Sequence, residues 1–288
     1  MSKTQAKKQE KEGAKKPSLK LAIPYIITVL ILSWIVQALI FTGQVPVQFA
    51  SAYMYVPLVL AVIFYFLQKD AIDVQIKQFT SHITLKSLVF AVAFPFVLIT
   101  LIALLGIVSG LGQFHLDVLI ERLQLPFILT YLGLVLAIMP AMLGEEYGWR
   151  GYLLPTLTPK LGKIQATLIV GIVWGLWHIP SYYLAYSVAG IGDPILLTTL
   201  GVLFTAVFAF PLSYCYYLTR NIIPCIILHG IWDVTMVSVA FASPAVPGMA
   251  ESVPGIISMN WPYVMACMLV MGTVVALFFA REFKKMKD

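Results

Sequence analysis

Residues 126–150 read PFILTYLGLVLAIMPAMLGEEYGWR. An uncharged run opens this stretch and ends in two adjacent carboxylates, Glu145 and Glu146, with Arg150 four residues beyond the second. About 20 apolar residues are what an α-helix needs to cross roughly 30 Å of hydrocarbon. The run is therefore read as a membrane span, and the fold class follows from it. Burying an ionisable side chain in such a span costs several kcal/mol, so one found there is retained for pairing or for chemistry.

The rest of the chain extends this reading. Its 288 residues are 60% hydrophobic and only 11% charged, with a mean hydropathy of +0.90. That is too apolar for a soluble globular protein. Apolar windows of spanning length fall at about 21–41, 48–67, 87–111, 126–146, 164–185, 195–218, 222–241 and 261–280. The sequence predicts an all-α, polytopic membrane protein of about eight transmembrane helices, forming one membrane domain over 21–281. Pro57 and Pro95 interrupt the second and third spans, as membrane helices tolerate. Residues 1–20 carry Lys3, Lys7, Lys8, Lys11, Lys15, Lys16 and Lys20 and read as a basic, solvated tail. The first apolar run is too long for a signal-peptide core and is read as a retained span. The C-terminal residues carry no lipidation box.

Charge sets the orientation. With the N-terminus in the cytoplasm, 18 of the 19 Lys and Arg residues fall on the inner side, and only Arg122 lies outside. The positive-inside rule then places both termini in the cytoplasm and favours an even number of spans. This is the plasma membrane if the cell is prokaryotic. It also accounts for the net charge of +6 without nucleic acid or another acidic ligand. Cys215, Cys225 and Cys267 lie in apolar segments with no metal-type spacing and are read as small core residues. The two GxxxG patterns, Gly106 with Gly110 and Gly171 with Gly175, are too common in membrane helices to carry functional weight.

Helical spacing organises the remaining polar residues. Residues four apart share a face, while neighbours diverge by about 100°. Glu146 therefore pairs with Arg150, and Glu145 faces elsewhere. His229 and Asp233 project from one face of the seventh span, and His178 lies on the fifth. A carboxylate and an imidazole converging in a low-dielectric pocket make a base that can activate water. A second imidazole and a short polar side chain can donate to an oxyanion. The same set can instead ligate zinc, although no HExxH helix is present. Each group also has a structural reading, as an interhelical hydrogen bond or an edge ion pair. His82 and His115 are expected to be exposed loop residues, and Asp70, Asp73, Asp117, Glu121 and Arg122 are expected to be loop charges.

Glu145-Glu146-xxx-Arg150 resembles the EExxxR motif of the type II CAAX prenyl endopeptidase and bacteriocin-processing (CPBP, or Abi) family of intramembrane proteases. Trp174-xxx-His178 resembles that family's FxxxH motif, with Trp in place of Phe. His229-xxx-Asp233 resembles its third motif, His followed four later by Asn or Asp. The order of the motifs also matches, over about 126–240. The resemblance implies that Glu145 and His178 activate water, that His229 and Asp233 stabilise the oxyanion, and that Glu146, Arg150 and Trp174 support them. It also implies a peptide or protein substrate, lipid-modified or not, met within membrane lipids. The family is described both as metalloprotease and as metal-free; here no cofactor is expected to be required, with zinc as the alternative. An ionised Asp233 cannot donate to an oxyanion. It must be protonated, orient His229 or bind a cation.

The function expected is thus an intramembrane endopeptidase. The alternatives are a proton-coupled transporter, in which the same four residues form a relay, and a non-catalytic immunity or scaffold protein on the same fold. A transporter would show paired discontinuous helices in two related halves, whereas these motifs sit only in the C-terminal half. Depth along the spans is a difficulty: Glu145 falls at the inner end of the fourth span, His178 deep in the fifth. They meet only if one helix is displaced.

Overall fold

A computed structural model describes residues 19–46, 49, 51–67, 77–241 and 254–286. The basic tail before residue 19, Asp70 and Asp73 lie outside the described residues. The first helix, α1 (Ala22–Phe41), follows a short 3-10 turn (Leu19–Leu21). Then come α2 (Val56–Phe66), α3 (Leu85–Val108), a short strand β1 (Gly112–Phe114) and α4 (Leu116–Arg122). The C-terminal half holds α5 (Leu125–Glu146), α6 (Leu154–Trp177), α7 (Ile179–Ala189), α8 (Pro194–Thr219) and α9 (Ile223–Thr235). A second strand β2 (Ile257–Met259) and α10 (Trp261–Lys285) complete the chain. Among the described residues the protein is all-α apart from β1 and β2, which pair antiparallel.

Six helical segments are long and apolar enough to cross a membrane among the described residues. One of them, Leu125–Trp177, is 53 residues long and contains both the fourth and the fifth expected spans. The second expected span is shorter than the sequence suggests, since its apolar helix covers Ala52–Phe66. Pro57 does not interrupt that helix but sits in the first turn of α2, where a missing N–H costs nothing. Pro95 is inside α3, as expected. Local capping is orthodox. Thr84 and Ser87 form a capping box at the start of α3, and Asp193 accepts from the N–H groups of Ile195 and Leu196 at the start of α8.

The outward faces are apolar. Ile23, Val108, Leu136 and Val274 are strongly exposed, while Glu145, Glu146 and Arg150 are buried. This inverted distribution belongs to a chain solvated by lipid. The protein is an integral membrane protein. Helices α8 and α9 are the most enclosed, and α8 packs against both α6 and α10. All three cysteines are buried and unpaired, as small core residues are.

The 53-residue segment is not straight. A straight helix would hold Glu145 and Trp174 about 43 Å apart, yet their side chains are hydrogen-bonded at 2.8 Å. Gly162 makes the reversal, with φ of 74°, a conformation that a Cβ opposes. The helix therefore runs on well past Glu146 before it turns, and His178 returns to the level of Glu145. Glu145 is in the middle of a helical arm rather than at a span's end, which removes the depth mismatch.

Two expectations about loops are corrected. Arg122 is buried at the end of α4, where it donates to the carbonyl of Pro254 at 2.8 Å and lies over the Phe127 ring. His115 is half-buried and hydrogen-bonded to Ser258 at 2.8 Å. Both tie the α3–α5 connection to the segment before α10, a long-range packing that charge in a loop does not reveal. Asp117 and Glu121, also on α4, are exposed, and so is His82.

Candidate active site

The site is built where the arms of the long segment meet α9. Immediately after Glu146 the backbone widens into a π-helical stretch (Tyr147–Leu153), a device frequent at functional sites. Its cause is partly local. Pro155 has no N–H for the carbonyl of Gly151; the hydroxyl of Tyr65 donates to that oxygen at 2.6 Å, and the amide of Gln78 donates to it as well. The second arm stops in the same manner. Pro180 cannot donate to the carbonyl of Leu176, so α6 ends at Trp177 with His178 at the junction. The indole of Trp34 donates to Leu176 O and the amide of Gln37 to Trp177 O, both at 3.2 Å.

Glu145 and Glu146 take different partners, as their helical spacing requires. Trp174 Nε1 donates to Glu145 Oε2 at 2.8 Å, and His178 Nε2 lies 4.0 Å from that oxygen. Arg150 Nη1 donates to Glu146 Oε1 at 2.8 Å. The same Glu146 oxygen also meets His229 Nδ1 at 2.9 Å. His229 Nε2 faces Asp233 Oδ2 at 3.7 Å, too far for a hydrogen bond. Glu146 is therefore more than the partner of Arg150: it links the first motif to His229.

Trp174 stands at the centre. The Arg150 guanidinium lies over its ring at 4.5 Å, a cation–π geometry. The His229 ring meets it edge-on at 5.1 Å, and the His178 ring is 5.9 Å away. On the far side Tyr182 stacks on His178 at 4.6 Å and 10°. All seven residues singled out in the sequence thus come together in one cluster. Accessibility is graded across it. The carboxylates of Glu145 and Glu146 and the Arg150 side chain are buried, whereas the His178 and Asp233 side chains are 14% and 34% exposed. The cluster opens on the side of His178 and Asp233.

Trp34, Gln37 and Tyr182 contact the arm that carries His178, and the motif reading misses them. Gln37 left a signal, as a lone amide in the apolar run 21–41. It is fully buried, as a polar group in a span should be when it has a partner. The aromatic residues left none, since aromatics recur throughout the chain.

A zinc site was the alternative use of these donors. As arranged they do not fit one. Among the described residues no three His, Cys, Asp or Glu side chains are grouped to hold an ion, and Glu146 and His229 are bonded to each other.

Comparison with known proteins supports the motif resemblance. Residues 126–235 match the family model described as type II CAAX prenyl endopeptidase Rce1-like. A protein described as CAAX prenyl protease 2, from Methanococcus maripaludis, is 40% identical over 43 residues, 15% of this chain and 16% of that protein. The match thus spans less than a fifth of the relative's length. Residues 126–235, which hold the whole polar cluster, are thus similar to the Rce1-like CAAX prenyl endopeptidases, a family of peptidases.

Proposed function

We propose that this protein is an intramembrane endopeptidase that hydrolyses a peptide bond with water activated by Glu145 and His178. The observation that carries the reading is the Glu145–His178 pair at 4.0 Å. The buried carboxylate is held on one side by Trp174, and the imidazole borders the open side. Glu145 takes a proton from water as its oxygen bonds to the substrate carbonyl carbon. The carbonyl becomes an oxyanion, to which His229 and Asp233 donate. The C–N bond then breaks, and the proton on Glu145 passes to the leaving amine. His229 is oriented for this by Glu146 at Nδ1, which leaves Nε2 for the oxyanion.

The substrate would be a lipidated C-terminus, a short secreted peptide or a membrane-embedded segment. The enclosed, lipid-solvated position of the site suits a chain that enters from the membrane. The reading requires no metal. It places both termini on the cytoplasmic side, on the strength of the lysine and arginine asymmetry, and in the plasma membrane if the cell is prokaryotic.

The test is cleavage of a fluorogenic peptide ending in a farnesylated CAAX box by the purified protein in lipid nanodiscs. Wild type should cleave it, and Glu145→Gln and His178→Ala should lose about 10²–10⁴ in rate while remaining folded. Full activity in Glu145→Gln would refute the mechanism. Activity abolished by a strong chelator and restored by zinc would refute its metal-free form. Impermeant thiol labelling of cysteines placed in the tails of sealed cells tests the topology, and labelling from outside would reverse it.

A further inference from the structure

His178 and His229 are held in different ways. Glu146 Oε1 meets His229 Nδ1 at 2.9 Å, a hydrogen bond that fixes that imidazole. His178 Nε2 is 4.0 Å from Glu145 Oε2, beyond hydrogen-bond reach, so this contact does not set the plane of the ring. Aromatic neighbours set it instead. Tyr182, one helical turn later on α7, lies face to face with the imidazole at 4.6 Å and 10°. Trp177 meets it edge-on at 4.6 Å and 71°. Helix α7 itself has no buried residue, so it supplies no packed core behind His178.

Tyr182 is in turn fixed by α8. Its hydroxyl is 3.1 Å from Thr205 Oγ1. The buried Thr205 hydroxyl donates its single proton to the carbonyl of Gly201 at 2.8 Å, so the phenol is the donor to Thr205. A Cβ on Gly201 would stand 2.8 Å from Cδ2 and 2.9 Å from Cε2 of the Tyr182 ring, an approach that glycine permits. Ring edge, hydroxyl and ring face thus each have a partner: Gly201, Thr205 and His178. Gly201 and Thr205 are themselves one turn apart on α8, so one helix face carries both anchors.

We propose that Tyr182 is a positioning residue: anchored on Gly201 and Thr205, its ring holds the His178 imidazole in the plane that turns Nε2 toward Glu145. Helix α8 thereby acts on the reaction through His178. This inference rests on the proteolytic reading above, in which Glu145 and His178 act on one water. A misplacement of about 1 Å in a reacting group can cost roughly 10²-fold in rate, so the plane of an imidazole held by stacking bears on kcat. None of the three motifs names Tyr182, Thr205 or Gly201.

The experiment measures kcat and KM with the farnesylated fluorogenic peptide for wild type, Tyr182→Phe, Tyr182→Leu and Glu145→Gln. It also records the carbon-bound imidazole protons by NMR. The chain has four histidines, and the signal lost in His178→Ala is that of His178, which a stacked aromatic ring shifts upfield. Tyr182→Leu removes the ring and should lower kcat by about 10²-fold, with KM unchanged and the His178 signal moved downfield. Tyr182→Phe keeps the ring but not its anchor. Its kcat should fall by roughly 2- to 10-fold, the worth of one hydrogen bond, with a smaller movement of the same signal. Wild-type kcat in Tyr182→Phe, with Glu145→Gln inactive, overturns the anchored role of Tyr182 and leaves the proteolytic reading standing, whether or not Tyr182→Leu folds. A rise in KM with kcat kept makes Tyr182 a substrate contact and overturns it too. So does a fall in kcat with the His178 signal unmoved, because the loss is then not transmitted through the imidazole. Absence of cleavage by wild type overturns both readings.

Discussion

The indole N–H of Trp174 donates to Glu145 Oε2 at 2.8 Å, joining two residues 29 apart in one folded-back helical segment. The family motif that Trp174-xxx-His178 resembles carries Phe at the first position, and a phenyl ring has no such donor. This chain therefore holds its candidate base by a contact that the motif itself does not supply. The bond leaves Glu145 Oε1 free of Trp174 and fixes the plane of the carboxylate relative to His178.

Trp174→Phe should separate the two uses of this residue. The phenyl ring still offers a face to Arg150 and an edge contact to His229, so the protein should fold. The lost hydrogen bond to a charged or charge-sharing carboxyl is worth about 1.5–3 kcal/mol, which bounds the loss of rate at roughly 10- to 150-fold. Steady-state kinetics of the variant checks this. A rate equal to wild type would mean that the indole N–H does not orient Glu145.

Glu146→Gln should destabilise the protein far more than Glu145→Gln. Glu146 Oε1 serves both Arg150 and His229, and the Glu146 and Arg150 side chains are completely buried. Removing one member of a buried ion pair costs about 3–5 kcal/mol, because the other charge is left unpaired. Thermal unfolding of the two variants in the same lipid measures the difference. Equal midpoints would contradict the network, while a folded, active Glu146→Gln would show that His229 is oriented by something else.

Asp233→Asn should retain activity. Glu146 already orients His229 from its Nδ1 side, and Asp233 sits 3.7 Å from Nε2 without a hydrogen bond. The orienting role is thus occupied, and Asp233 is left to act as a neutral donor, which an amide reproduces. A rate–pH profile of both proteins decides it. Loss of activity at every pH, in a variant that expresses and folds, would instead make Asp233 an orienting carboxylate.

Gln37→Leu should act on His178 from a distance. The carbonyl of Trp177 loses its donor where α6 has already ended, and a buried unsatisfied oxygen costs about 1–3 kcal/mol. The expected outcome is a lower Tm and a lower kcat, with Gln37→Asn rescuing neither because its side chain is shorter by one methylene. Wild-type kcat in the leucine variant would show that the His178 junction holds its geometry without α1.

Local and periodic physics made much of this protein readable from sequence. Long uncharged runs demand helices in lipid, because no other segment satisfies its own backbone there. The four-residue spacing puts Glu146 with Arg150, and His229 with Asp233, on shared faces. The three motifs named the whole cluster, from Glu145 through Trp174 and His178 to His229 and Asp233. What required the tertiary structure was everything set by how the helices meet. Gly162 looks like any glycine in a list of residues, yet its positive φ folds the long helix back and brings His178 level with Glu145. The Glu146–His229 contact joins residues 83 apart, and the Trp34 and Gln37 bonds join α1 to α6 across about 140 residues. Hydropathy and spacing describe one helix at a time; the site lies between helices, where only packing decides which polar groups find one another.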